Sequence, residues 1–207
     1  MQRPELVVLC ADLDIEQAVT GLLARPEALK IRRVRHQLIR DTMAGHDGGT
    51  FKRAHAVLES YSTDPRCHAL VLFDRDWDGA PSRNAKELAD DVERRLALKW
   101  KERARCVVFD PEIEIWVFSD SPHVDRTLGF PDGQLRNWLR EQGHCSDGQA
   151  KPGDPKTAMR QALRTSKIKP SAALFQELAS KVGLERCIDP SFRLFVETLR
   201  TWFPLCG

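Results

Sequence analysis

The chain has 207 residues, 42% hydrophobic and 30% charged, and its formal charge of +2 is the balance of 32 basic and 30 acidic side chains. Such a make-up describes one soluble globular domain, or one domain with an appendage, long enough to bury a core. No apolar run approaches the roughly 18 residues of a membrane span. Arginine outnumbers lysine, and arginine suits phosphate recognition better. The six cysteines, Cys10, Cys67, Cys106, Cys145, Cys187 and Cys206, lack C-x-x-C spacing, which argues against a zinc site and against a disulfide scaffold. The opening MQRPELVVLC enters a strand at once and has no signal-peptide layout. A reducing cytoplasm is the expected setting.

In chain order, Glu5–Cys10 predicts a first strand. Helical spacing of Ile15, Val19, Leu22 and Leu23 predicts a helix over 15–25, with Asp14 as N-cap and Pro26 as its end. Lys30–Leu38 is basic and loosely alternating, a candidate second strand. Arg40–Thr50, RDTMAGHDGGT, reads as a loop with three glycines that holds His46 and Asp47. Phe51–Tyr61 reads as a helix with His55 on its face. Cys67–Phe73 is a strand, and Ser82–Glu102 is a long amphipathic helix with Leu88, Val92, Leu96 and Trp100 along its buried stripe. Arg105–Phe109 is a further strand. Ile113–Phe118 fits a strand or a buried helix, and Pro111 followed by Glu112 favours a helix start.

Beyond Ser119 the texture changes. Ser121–Asp132 reads as loop, 134–142 as a short helix, 143–154 as a polar loop, and 155–164, 171–182 and 190–203 as helices, with Ser171 as an N-cap. His144 and Cys145 are adjacent but have no third ligand at convincing spacing. The expected organisation is an α/β core over 1–120 carrying a mainly parallel sheet flanked by helices, with a mostly helical extension over 121–207 packed on it.

The stretch LVLFDRDWDG, Leu70–Gly79, anchors the functional reading. A buried strand ends in Asp74, Asp76 and Asp78, and in open α/β sheets the working groups stand just past the strands' carboxyl ends. Half-buried acids crowded there need counter-charge, and a hard cation such as Mg²⁺ supplies it. The alternative is an acidic turn capping the next helix. The first strand is followed by Asp12, Asp14 and Glu16, and the strand 105–109 by Asp110, Glu112 and Glu114. Three acidic ends converge on one sheet edge if their strands are neighbours.

Strand, acid, helix, then strand and D-x-D resembles the Toprim catalytic fold of topoisomerases, primases, OLD-type nucleases and recombination mediators. Asp74 and Asp76 stand where that family's Mg²⁺-binding D-x-D pair follows its strand. PEIEIW, Pro111–Trp116, resembles the Pro-Glu-x-Glu-x-Trp segment of a group of bacterial Toprim-like proteins often found in phage-defence gene clusters. SAALFQELA (Ser171–Ala179) and DPSFRLF (Asp189–Phe195) resemble that group's C-terminal part. One departure stands out. The family's first strand ends in a glutamate that acts as general acid or base, whereas this chain reads Val8-Leu9-Cys10-Ala11-Asp12. Asp12, or Glu16 one helical turn on, would have to substitute.

The resemblance implies an Mg²⁺- or Mn²⁺-dependent phosphodiester enzyme acting on nucleic acid. Asp74 and Asp76 would hold the ion, Glu112 or Glu114 would complete the shell, and Asp12 or Glu16 would move the proton. Lys52, Arg53, Lys156, Lys167 and Lys169 are candidates to hold the nucleic-acid backbone. The alternative that the departure favours is a catalytically weak or inactive adaptor subunit of a multi-protein defence complex. A third class, hydrolysis of a small nucleotide, has less support, because no P-loop, G-x-S-x-G elbow or G-x-G-x-x-G occurs.

Overall fold

The computed structural model describes residues 3–41 and 46–205. Four parallel strands form one sheet, β1 (Leu6–Cys10), β2 (His36–Arg40), β3 (His68–Asp74) and β4 (Ala104–Phe109), in the order β2-β1-β3-β4. β1 is buried throughout and β3 and β4 nearly so, as apolar runs sandwiched between helices should be. β2 and β4 are the edge strands, and the exposed His36, Gln37 and Arg40 of β2 discourage pairing with another chain.

Helices α1 (Leu13–Leu23) and α2 (Pro26–Leu29) join β1 to β2; α3 (His46–Val57) and a short tight turn at Glu59–Thr63 lead to β3; α4 (Ala85–Trp100) joins β3 to β4. From β1 the chain moves one way across the sheet to β2, and from β3 it moves the other way to β4. Right-handed crossovers therefore put α1 on one face and α3 and α4 on the other. Consistent with this, α3 packs on α4 and on β3, and α4 on β4. α4 is fixed at its start by a reciprocal pair: Asn84 Oδ1 accepts from the Glu87 N–H (2.9 Å) and Glu87 Oε2 from the Asn84 N–H (2.9 Å), a capping box.

The rest of the chain is helical: α5 (Glu114–Val117), α6 (Pro122–Thr127), α7 (Gln134–Glu141), α8 (Pro155–Thr165), α9 (Ala173–Lys181) and α10 (Pro190–Trp202). These helices share their core with the sheet. α9 lies so close to α1 that a Cβ on Gly21 would sit 2.6 Å from the Gln176 carbonyl and 2.7 Å from the Ala179 Cβ. Arg25 Nη1 donates to the carbonyls of Ala179 (2.8 Å) and Val182 (2.9 Å). Trp116 packs edge-on against Phe109 of β4 and Phe192 of α10, with ring centroids 4.7 and 5.0 Å apart. Among the described residues no helix is long and apolar enough to cross a membrane. Cys10, Cys67, Cys106, Cys145 and Cys187 are free and buried.

Several local expectations give way. The second strand starts at His36, because Ile31 is drawn instead into an antiparallel bridge with Pro204. Pro26 opens α2 as its first residue rather than merely closing α1. The cap of α1 is Asp12, whose side chain accepts from the Ile15 N–H, and Asp14 lies inside the helix. The predicted 40–50 loop is helical from His46, while residues 42–45 of it lie outside the described residues, as does Cys206. Gly48 hides that helix start in the sequence, yet a Cβ there would meet the Trp77 Nε1 at 3.0 Å. Ser121 caps a helix where loop is expected. α9 begins at Ala173 without a side-chain cap from Ser171, and Pro111 precedes α5 rather than starting it.

Candidate functional site

β1 and β3 are adjacent, and the chain leaves them in opposite directions. Such a switch point opens a crevice at the strands' carboxyl ends. Cys10 is in register with Leu72, so continuing both strands brings Asp12 level with Asp74. Asp74 is the last residue of β3 and is buried. Its backbone N–H donates to Asp47 Oδ1 (2.8 Å), and its Oδ1 accepts from the Ile113 N–H (2.9 Å). One residue thus ties the first turn of α3 to the segment that leads into α5. Asp47 is buried as well. Glu114 opens α5 and is buried, and its Oε2 has no hydrogen-bond partner among the described residues. Glu112 lies in an ion pair with the Lys156 ammonium, on the first turn of α8. Asp12 Oδ1 accepts from the Ile15 N–H at 2.9 Å.

These groups perturb one another. Burial pushes the Asp74 carboxyl well above the carboxylate range, and the charges of Asp47, Asp12, Glu114 and Glu112 push it further. Asp47 is raised by burial and by Asp12, against the opposing hydrogen bond from the Asp74 N–H. Asp14 is raised by burial and by Asp12, with Lys156 opposing. Glu114 rises to about 7, chiefly by burial, with Lys156 opposing and Glu112 and Asp14 adding to it. Burial works against the Lys156 charge, but Glu112, Glu114 and Asp74 outweigh it and hold that ammonium above its ordinary value. Acids from β1–α1, α3, β3 and α5 therefore press on one another around Lys156.

The sequence-predicted residues divide. Asp74, Glu112, Glu114 and Asp12 come together. Asp76 differs from Asp74 in burial: it is exposed on the wall of the open cleft that Asp47 and Glu112 also line, whereas Asp74 is buried. The strand stops at Asp74; the Arg75 N–H donates to the Phe109 carbonyl (2.8 Å) and is shared with the Pro111 carbonyl (3.0 Å), to which the Asp76 N–H also donates (3.2 Å). Asp76 is exposed, 3.4 Å from Arg75 Nη2, and Arg75 Nε also meets Asp110 at 2.6 Å. Glu16 is held by Arg40 Nε at 2.5 Å. An open cleft of about 1040 Å³ runs beside the acids, lined by His46, Lys52, Arg53, Asp76, Trp77 and Lys156 among others. Lys52 is exposed, and Arg53 Nε reaches Asp41 at 2.9 Å. Lys167 and Lys169 are exposed beyond the far end of α8, which lies about 13 Å of helix from Lys156. Sequence reasoning missed Asp47 as a member of the cluster, and counted Asp14 among the acids after the first strand but gave it the role of helix cap. For Asp47 the glycines that follow it masked a helix. For Asp14 the cap position sits two residues earlier.

Among the described residues no three His, Cys, Asp or Glu side chains stand ready as a metal cage. Mg²⁺ seldom uses one; it takes one or two carboxylates, waters and substrate phosphate oxygens. The unpartnered Glu114 Oε2 beside the buried Asp74 fits that donor set.

A family model described as a domain of unknown function, DUF4276, matches residues 15–200. The chain belongs to the DUF4276 family. The match in this DUF4276 chain takes in Asp47, Asp74, Glu112, Glu114 and Lys156, and begins just after Asp14. Neither curated proteins nor solved structures give a match.

Proposed function

We propose that the DUF4276 chain is a divalent-metal-dependent enzyme of Toprim type that cuts phosphodiester bonds in nucleic acid, with Mg²⁺ or Mn²⁺ as its cofactor. One observation carries the reading: Asp74 is buried among Asp47, Asp12, Glu114 and Glu112 with too little counter-charge folded in. A bound divalent ion would polarise a phosphoryl oxygen and activate water. Asp74 and Glu114 are the residues that would hold it. Asp47 fixes the Asp74 backbone, and the Ile113 N–H fixes the Asp74 carboxylate. Lys156 tethers Glu112 at the rim, while the exposed Lys52 puts positive charge on the cleft wall where a phosphate chain would lie, beside Arg53, whose charge Asp41 partners. The wider role, a cytoplasmic component of a bacterial anti-phage defence system, draws on the PEIEIW resemblance.

The test is plasmid nicking and cleavage of a labelled oligonucleotide in Mg²⁺ or Mn²⁺, alongside Mn²⁺ titration by calorimetry. Wild-type protein should bind Mn²⁺ and cut, and Asp74→Asn should do neither. Equal cutting by both proteins, or no Mn²⁺ uptake by wild type, overturns the reading.

A second reading, the non-catalytic adaptor subunit of a defence complex, has its own support. Asp12 is engaged as the cap of α1 and Glu16 is paired with Arg40, so both candidate proton carriers at the first strand end are occupied. Metal uptake without cleavage, with stable co-purification of a neighbouring gene product, would select it.

A further inference from the structure

Helix α8 starts at the acid cluster and leads away from it. Its buried residues are Pro155, Ala158, Met159, Ala162 and Leu163. Lys156, Arg160 and Arg164 follow at four-residue spacing, within an arc of about 80° beside the buried face. The helix, PKTAMRQALRT, contains no acidic residue. Arg160 and Arg164 are exposed, and just past the helix end Lys167 and Lys169 are exposed too. None of these last four has an ion-pair partner among the described residues. Asp154, at the head of the helix, accepts from the Thr157 N–H at 2.9 Å, and Arg160 adds a weaker charge attraction to it without coming into ion-pair contact.

An ordinary solvated helix face looks different, and α4 supplies the contrast. There Lys86 meets Asp90 at 2.6 Å, Arg94 meets Asp91 at 3.1 Å and Lys99 meets Glu59 at 2.5 Å. Mixed signs neutralise one another locally, and such a face attracts no polyanion. A single-sign ridge keeps its field and draws one.

We propose that the exposed face of α8, from Lys156 through Arg160 and Arg164 to Lys167, is the track that holds a nucleic-acid strand as it leaves the carboxylate cleft. The inference rests on the nucleic-acid reading above and sharpens it: the substrate is a chain, not a mononucleotide. Its helical part, Lys156 to Arg164, is about 12 Å long, which corresponds to about three or four phosphates at the roughly 3.4 Å per-strand spacing of duplex DNA. Its near end is Lys156, which also faces Glu112, so the track is continuous with the cleft. Arg160 and Arg164 belong to it although neither lines the cleft.

Fluorescence anisotropy with a labelled 20-nucleotide single strand tests this, with Ca²⁺ replacing Mg²⁺ so that binding is read whether or not the chain cuts. Arg160→Glu/Arg164→Glu should weaken binding at least tenfold. It should also flatten the dependence of log affinity on log salt by about 1.4, two contacts at roughly 0.7 each for a single strand. The milder Arg160→Gln/Arg164→Gln pair should do the same in smaller measure, with an unchanged melting temperature showing that the fold is intact. Wild-type affinity should climb as the strand lengthens from two to about eight nucleotides. Affinity and salt slope unchanged in both variants overturn the track, and so does a dinucleotide that binds as well as the 20-mer. Ridge-dependent binding to phosphatidylserine vesicles or to polyglutamate without binding to the oligonucleotide also overturns it, in favour of another polyanion. Ridge-dependent binding by a wild-type protein that never cuts keeps the track and rejects only the catalytic reading.

Discussion

The two edges of the sheet treat their acids in opposite ways. At the edge where the strands begin, Glu5 receives Arg32 at 2.8 Å and Arg35 at 3.6 Å. Asp64 receives both the backbone N–H of Arg66 (3.0 Å) and its guanidinium (3.3 Å). Arg103 Nη1 donates to the Cys67 carbonyl at 2.6 Å and closes the same corner. The carboxyls of Glu5 and Asp64 are held below their ordinary values. At the edge where the strands end, Asp74, Asp47, Asp14 and Glu114 are all held above theirs. Arginines are not scarce there, but Arg75 turns to Asp110, Arg40 to Glu16 and Arg53 to Asp41. An acid matched by a folded-in arginine is architecture. An acid left to its like-charged neighbours is a standing cost, and natural sequences tend to keep such costs where something else uses them.

The largest effect belongs to Asp74. Asp74→Asn keeps an oxygen for the Ile113 N–H and removes the buried charge. Metal-free protein at pH 8 should then melt at a higher temperature than wild type, while Mn²⁺ uptake disappears and cleavage falls by at least about 100-fold, the loss expected when several kcal/mol of charge stabilisation goes. A stability gain coupled to a functional loss is the signature of a site. A variant that simply unfolds would place Asp74 with the architectural acids and erase the distinction between the edges.

Next comes Glu114. Its carboxyl titrates near 7 in the fold against an ordinary value of 4.5. Between those values the folded state holds more protons than the unfolded one, so stability falls as pH rises through that window and stays low above it. The difference corresponds to at most about 3 kcal/mol at pH 8. Glu114→Gln should remove that share of the decline. Urea melts in EDTA at pH 5 and pH 8 measure it: wild type should lose more stability than the variant on going to pH 8, and parallel losses would mean that Glu114 is not held as its burial implies. Mn²⁺ at pH 8 should return stability to wild type by mass action and do less for the variant.

Much of this contrast was readable in the residues, and what was not has a physical reason. Apolar runs such as LVVLC and ALVLF announce buried parallel strands, and acids after each announce the busy edge. The D-x-D spacing does not announce that the two aspartates differ in burial: β3 ends on Asp74, which is buried, while Asp76 beyond it is exposed on the cleft wall. Asp47 was hidden by glycines that argue against a helix, and Gly48 is there because Trp77 leaves little room for a side chain. Which arginine matches which acid depends on contacts between distant segments, such as Arg32 with Glu5, and no local pattern encodes them. The helical half was legible in its periodicity, but its place on the sheet was not, because Gly21 and the close approach of α9 have meaning only in three dimensions.

The smallest effect sharpens the comparison from the other edge. Partial burial works to raise Glu5, but Arg32 and Arg35 outweigh it, so its carboxyl titrates below the ordinary 4.5. The unfolded chain therefore binds the proton more readily, and the stability that Glu5 provides is present above that ordinary value and lost as pH falls through the lowered one. Glu5→Gln should then cost stability at pH 7, by no more than about 1 kcal/mol because water still reaches and screens this partly exposed ion pair. Raising salt should shrink that cost further, and it should vanish once pH has fallen through the lowered Glu5 value, where wild type carries a protonated Glu5 as well. The sign is opposite to that of Glu114→Gln in the same melts. Two glutamates at the two ends of one sheet should thus respond to the same substitution in opposite directions, and a shared direction would show that the counter-charge at each edge does not decide what its acids do.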